Sequence, residues 1–142
     1  RQRIASLVKP EEVVAVFFSG VCPYAISMCK KQPLVEKVYA IEIIPELCAF
    51  GKANIAKFNF AKKGTVKTFC QDGSQGLPEY APFDRILVSA SASELPQELI
   101  SQLAESGKLA APIGQSIWLY IKKGRRVEKK EYPGFLFVPL IP

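Results

Sequence analysis

Histidine is absent from the 142 residues. Its absence excludes Ser–His–Asp triads, Cys–His nucleophilic pairs, imidazole bases and histidine metal sites. Any chemistry must run on carboxylates, lysines, hydroxyls or a bound cofactor. Long hydrophobic runs are missing too: a membrane span needs ~18 apolar residues, and the longest clean run is Val13 to Phe18. With no signal-peptide pattern either, the expectation is a soluble cytoplasmic chain without a membrane partner. Cysteine is sparse, and Cys22, Cys29, Cys48 and Cys70 lie 7, 19 and 22 residues apart. No CxxC pair occurs, so zinc-finger and thioredoxin readings fail. The expected state is four buried free thiols in a reducing compartment. A G-x-G-x-x-G fingerprint is also lacking, which disfavours a dinucleotide site.

What remains is an ordinary globular composition, 49% hydrophobic and 23% charged. The length fits a single domain over residues 1–142. A chain of this size buries roughly 68% of its unfolded surface, enough for a core without staples. The net charge is +6, with basic pairs at Lys30-Lys31, Lys62-Lys63, Lys122-Lys123, Arg125-Arg126 and Lys129-Lys130. Such pairs suit nucleic acid or an acidic substrate, or they form a solvated face. The last three pairs read as the flanks of one exposed hairpin turn, over 122–130. Aromatics are not interleaved with them, which argues against a stacking platform for single strands.

Strand and helix patterns alternate along the chain. The continuous run Val13–Phe18 predicts a strand buried on both faces. Pro23 to Lys31 predicts a helix, with proline early and lysine at its end. Lys37–Ile41 reads as a second strand ending at Glu42, and Pro45 to about Phe60 as a helix closed by Lys62-Lys63-Gly64. Thr65–Phe69 and Phe83–Val88 read as strands three and four, separated by the loop "QDGSQGLPEYAP". A helix from Ser93 to Glu105, a short strand Leu109–Pro112, and strands Ile117–Lys122 and Phe135–Val138 complete the pattern. The expected architecture is an open α/β sheet of seven mostly parallel strands, with helices on both faces and a late antiparallel pair.

In such sheets ligands bind at the carboxyl ends of the strands, near the switch in strand order. Segments 18–22, 42–45, 71–74 and 88–92 should therefore share one crevice. Gly20 stands where the chain must pass close to a ligand, before a helix whose first amides favour a polar or anionic group. Glu42 lies about 20 residues on, where an acid accepts hydrogen bonds from both ribose hydroxyls of an adenosine; otherwise it is a surface acid at a strand end. Asp72-Gly73 offers a second acid, or simply a favoured turn pair. Cys22, at the start of the helix, is either an activated thiol or a filler for the space of a lost glycine.

The segment "QDGSQGLPEYAPFDRILVSASASELPQELISQLAESGKLAAPIG", with "GFLFVPL" near the end, resembles the second half of the protein-L-isoaspartate O-methyltransferase family. The first half, "LVKPEEVVAVFFSGVCPYAI" and "KVYAIEIIPE", is similar to the archaeal tRNA guanine methyltransferases. Both are class I S-adenosyl-L-methionine-dependent enzymes with a Rossmann-like fold. The resemblance implies that Ser19, Gly20 and Val21 contact the methionine part of S-adenosyl-L-methionine, Glu42 the ribose, and Asp72 with Gly73 the adenine. Phe18 and Ile43 join them at the cofactor, and Ser89 and Ala90 line the mouth for methyl transfer. Four departures stand out: Val16 in place of an acid, Cys22 in place of the last glycine of the turn, Ile44-Pro45 in place of Asn-Pro, and "SASAS" in place of an Asn-Pro-type catalytic motif. The region that presents substrate in isoaspartate repair enzymes is expected to be missing from the N-terminal side.

Two functions follow as expectations. One is methyl transfer, to a protein carboxylate or to RNA. A carboxylate is already a nucleophile, so positioning suffices and histidine is not needed; an RNA base would need a proton acceptor, for which only the crevice acids could serve. The other is a non-catalytic binding module, with an eroded cofactor turn and a salt-sensitive contact to nucleic acid through the 122–130 hairpin.

Overall fold

The computed structural model describes residues 8–20, 22–59, 62–89, 94 and 97–134. Seven strands form one sheet: β1 (Val13–Phe17), β2 (Lys37–Glu42), β3 (Val66–Cys70), β4 (Phe83–Val88), β5 (Leu103–Ile113), β6 (Ser116–Lys123) and β7 (Arg126–Pro133). Between them lie helices α1 (Pro23–Lys31), α2 (Pro45–Ala56) and α3 (Gln97–Ser101), and a 3-10 turn at Pro78–Tyr80. The order across the sheet is β3-β2-β1-β4-β5-β6-β7. The first five strands are parallel neighbours, and β5–β6 and β6–β7 pair antiparallel. The expected architecture is thereby borne out.

The period of two along each strand sorts side chains into two cores. Val14, Val16, Val38 and Ala40 pack under Ala25, Met28 and Cys29 of α1 and Ile55 of α2. Ala15, Phe17, Tyr39 and Ile41 face the opposite layer, with Leu77, Phe83, Leu99 of α3 and Leu109. Strands buried on both faces must be apolar throughout, which is why β1 reads as an unbroken hydrophobic run. Helix α1 begins at Pro23, where the missing amide costs nothing, and carries Lys30 and Lys31 in its last turn.

Four boundaries differ from the sequence reading. Helix α2 ends at Ala56, short of the expected Phe60. The helix expected from Ser93 to Glu105 stops at Ser101, the end of α3, and β5 already starts at Leu103. Pairing overrides helical propensity there: Leu103 aligns with Phe83, the Phe83 amide donates to the Gln102 carbonyl at 2.8 Å, and a register irregularity between Phe83 and Arg85 takes up the extra residues before Lys108. Residues 126–133, expected only as a turn flank, form β7. The strand expected at Phe135–Val138 lies outside the described residues.

Candidate cofactor site

Parallel pairing brings the carboxyl ends of β1 to β4 to one edge. Phe17 aligns with Ile41 on one side and Val88 on the other, and Glu42 aligns with Cys70. The strand order reverses between β1 and β4, and Ser89 bridges that switch: its amide donates to the Phe17 carbonyl at 3.0 Å, and its hydroxyl to the carbonyls of Phe17 and Phe18.

The β1–α1 turn is tightly wound. Phe18, Gly20 and Cys22 all take positive φ, at 58°, 57° and 65°. Only glycine adopts this without strain, so a Cys22 in the left-handed region occupies a glycine conformation. Nothing lies within 4 Å of where a Gly20 Cβ would stand; the glycine serves the backbone turn, and open space faces it. The Ser19 amide donates to the Ile41 carbonyl at 2.9 Å, tying the turn to the end of β2.

Glu42 closes the arrangement. It is 7% exposed, with Oε2 accepting from the Gly20 amide at 3.0 Å and Oε1 from the Ile44 amide at 3.4 Å. No ion pair among the described residues reaches it. A carboxylate offers about four acceptor sites, so lone pairs remain for a hydroxyl-bearing ligand. The carboxylate also lines a cavity of about 360 Å³ with Ser19, Gly20, Cys22, Cys48, Lys52 and Cys70. Thus Ser19, Gly20 and Glu42, three of the expected residues, share one cavity.

The other expected residues fall elsewhere. Phe18 and Ile43 flank the cavity in sequence without lining it, and Ile43 is 50% exposed. The oxygens of Asp72 accept from the amide and hydroxyl of Ser74, at 2.9 and 3.0 Å, which is the turn chemistry of an Asx motif. Gly73 is required by packing: a Cβ there would stand 2.9 Å from Phe17 Cδ1 and 3.3 Å from Ile41 Cγ2. Val21 and Ala90 lie outside the described residues.

The cysteines differ from the expected four free thiols. Cys48 and Cys70 form a disulfide across the rim of the cavity, while Cys22 and Cys29 are buried and free. Burial pushes the Cys22 thiol up, against a lowering contact from Ser19, and the nearby Glu42 charge adds to the rise. Cys22 is therefore a protonated thiol that fills space, not an activated nucleophile. The lining residues that sequence reasoning missed, Cys48, Lys52 and Cys70, are separated from the turn in sequence; the only available signal was the position of Cys70 at a strand end.

The basic hairpin sits at the far side of the sheet, separated from β1 by β4 and β5. Much of its charge is engaged: Lys122 Nζ donates to the Leu103 carbonyl at 3.1 Å, Lys123 pairs with Glu128 at 3.2 Å, and Lys129 and Lys130 lie over the rings of Tyr120 and Tyr132. No helix among the described residues is long and apolar enough to cross a membrane.

Known proteins share this arrangement. The chain is 40% identical over 107 residues to a protein-L-isoaspartate O-methyltransferase of Methanocella arvoryzae, covering 73% of this chain and 55% of that protein. To the Pyrobaculum islandicum protein of the same name it is 42% identical over 108 residues, covering 73% and 51%. The chain thus spans about half the length of the curated relatives it matches. A solved structure from Plasmodium falciparum, assigned as a protein-L-isoaspartate O-methyltransferase and determined in complex with S-adenosyl-L-homocysteine, superposes with a TM-score of 0.84 at 28% identity, covering 99% of this chain and 70% of that one. The family model described as protein-L-isoaspartate(D-aspartate) O-methyltransferase matches residues 19–142, from the β1–α1 turn onward. With the glycine turn, strands β2 to β7 and the acid at the end of β2 all in that matched span, the chain belongs to the protein-L-isoaspartate(D-aspartate) O-methyltransferase family.

Proposed function

We propose that residues 1–142 act as one S-adenosyl-L-methionine-binding domain of a methyltransferase that esterifies protein carboxyl groups of the isoaspartyl type. The observation that carries this reading is Glu42, a buried carboxylate with acceptor capacity to spare, fixed to the Gly20 amide in a cavity at the switch point. The cavity volume lies within the range of small-molecule sites. Relatives at about 40% identity carry the same activity in their names, and a 28% identical structure holds the product form of the cofactor.

In this reading Glu42 accepts the ribose hydroxyls, and the Ser19–Val21 turn receives the methionine part. Gly73, packed on Phe17 and Ile41, brings the 71–74 backbone near the adenine, with Asp72 shaping that loop; Phe18 and Ile43 border the site. Ser89, held by the Phe17 and Phe18 carbonyls, fixes the mouth together with Ala90. Bound S-adenosyl-L-methionine supplies a methyl group on a positively charged sulfur. The residues of the chain hold and align, since a carboxylate acceptor attacks without a base. The missing histidine then has no consequence for the chemistry.

A second reading, transfer to RNA, rests on the resemblance read in the sequence of the first half and on the basic 122–130 hairpin. Its charges are largely engaged and lie far from Glu42, which favours the carboxylate.

The test is calorimetric titration with S-adenosyl-L-methionine and S-adenosyl-L-homocysteine, followed by labelled methyl transfer to an isoaspartyl peptide, its aspartyl twin and tRNA. Micromolar binding is expected, with Glu42→Ala weakening it roughly 10- to 100-fold, as for lost hydrogen bonds to a charged group. Absence of heat at millimolar ligand would leave a non-catalytic module as the better reading.

A further inference from the structure

We infer that Cys48 and Cys70 are a reversible thiol–disulfide couple, a modification site for small-molecule thiols whose redox state sets the geometry of the Glu42 cavity. Its consequence for ligand affinity rests on the cofactor reading above; the couple itself rests on placement, access and anchoring.

Placement centres on one residue. Cys70 is the register partner of Glu42, and the next amide, Gln71, donates to the Glu42 carbonyl at 3.0 Å. From the other side, Cys48 in the first half of α2 sets its Sγ 3.1 Å from that same carbonyl oxygen. Both cysteines line the cavity that holds the Glu42 carboxylate. The bridge therefore spans the segment whose acid is fixed to Gly20.

Access separates this pair from the other two cysteines. Cys70 is exposed and Cys48 partly so, whereas Cys22 and Cys29 are buried. Attack on a disulfide requires a thiolate to reach one sulfur along the bond axis, and exposed bridges are the labile ones. Burial pushes the Cys29 thiol up to about 12, so it does not compete at neutral pH.

Anchoring explains why the bridge matters. Of the 12 residues of α2 only Gly51 and Ile55 are buried, while Phe50 on the same helix is 63% exposed and Ile44 at its start 37%. Apolar packing holds the second half of α2, and the covalent bond holds the first half against β3. In the oxidised state the Cys48 sulfur carries no hydrogen, so its approach to the Glu42 carbonyl is a contact only. In the dithiol the Cys48 S–H can donate to that carbonyl, but α2 is no longer tied to β3. The long Ile44 amide contact to Glu42 Oε1, at 3.4 Å, is then the first to be lost. Oxidised chain holds the carboxylate ready, and reduced chain holds it loosely.

The exchange balances with two equivalents of a monothiol RSH. The first thiolate forms an S–S bond to one protein sulfur and expels the other cysteine as a thiolate. The second thiolate attacks the sulfur of R in this mixed disulfide, releasing RSSR and the remaining cysteine thiolate. The two protein thiolates take up the two protons that the thiols gave up, so the protein is reduced by two electrons and the small thiol is oxidised.

The test uses the full chain purified without reductant, its disulfide verified by intact mass, against the same chain reduced with glutathione. S-adenosyl-L-homocysteine affinity is measured by calorimetry, and amide hydrogen exchange is followed over residues 42–48. Reduction should weaken binding tenfold or more and speed exchange in that segment; reoxidation should restore both. Cys48→Ser and Cys70→Ser should match the reduced chain and ignore glutathione. Equal affinity and equal exchange in both redox states would overturn the inference, as would four titratable thiols in the chain as purified. If neither form binds S-adenosyl-L-homocysteine, the cofactor reading fails and exchange decides the couple: unchanged rates overturn it, faster rates on reduction sustain it.

Discussion

The two ends of the sheet are built on opposite principles. At the parallel end, β1 and β2 are buried almost throughout, with only their first residues partly exposed. Such strands have no solvent face, so their specificity lies in packing, and the charged side chain admitted at the carboxyl end of β2 is the buried Glu42. At the other end, seven of the eight residues of β7 are exposed and the strand is held by its ladder with β6. Of its charged side chains, Glu128 pairs with Lys123, and Lys129 and Lys130 drape over the rings of Tyr120 and Tyr132. A buried polar group must be satisfied or committed to a ligand, whereas an exposed one needs no such account. That is why one carboxylate at the parallel end says more about function than the eight charges on the hairpin.

The comparison breaks first on stability. Phe17 is fully buried and packs against Ile41 and Gly73, so Phe17→Ala should cost about 3–5 kcal/mol. Val127, the one partly buried residue of β7, packs at the margin of the same core, and Val127→Ala should cost well under half of that. Urea denaturation of both variants measures the difference, and equal losses would show that the ribbon is as much part of the core as β1.

A smaller effect sharpens the polar side of the contrast. Gln102 is 7% exposed; its carbonyl accepts from the Leu77 amide at 2.8 Å, and its amide donates to the Gln75 carbonyl at 2.9 Å. Gln102→Leu strands both backbone groups, for an expected loss of roughly 1–3 kcal/mol. A variant as stable as the parent would mean that water replaces the side chain.

The smallest effect belongs to the ribbon charges. Lys129→Glu with Lys130→Glu should change stability by no more than about 0.5 kcal/mol and leave S-adenosyl-L-homocysteine affinity unchanged. If tRNA binds the parent, this variant should lose that binding, and the salt dependence of what remains should flatten. A drop in cofactor affinity would instead tie the ribbon to the site.

Much of the parallel half was legible. Val13–Phe18 reads as a strand because burial on both faces leaves an uninterrupted apolar run, Phe83–Val88 shows it in its last three residues, and α1 runs from Pro23 to Lys31 as its proline and terminal lysines predict. The antiparallel half was harder. "QELISQLAES" has helical composition throughout, yet only Gln97–Ser101 is helical, since Leu103 gains more from pairing with Phe83 than from another turn. In β7 no apolar alternation marks a strand, because Val127 alone of its residues packs toward the core and the ladder with β6 holds the rest.

The same division runs through the site. Gly20 and Glu42 could be found from their spacing along the chain, because the strand–turn–helix–strand unit fixes how far a β2 acid stands from the β1 turn. Cys48 and Cys70 could not, since nothing local tells a helix cysteine that a strand end 22 residues later will lie against it. The sequence by itself determined the alternation of elements, the parallel core and the acid at the end of β2, all set by local periodicity and burial. Only tertiary structure decided which of the crevice residues meet: it placed Glu42 on Gly20, spent Asp72 on its own turn, and joined Cys48 to Cys70. Those outcomes depend on strand order and register, which bring together residues that share no local pattern.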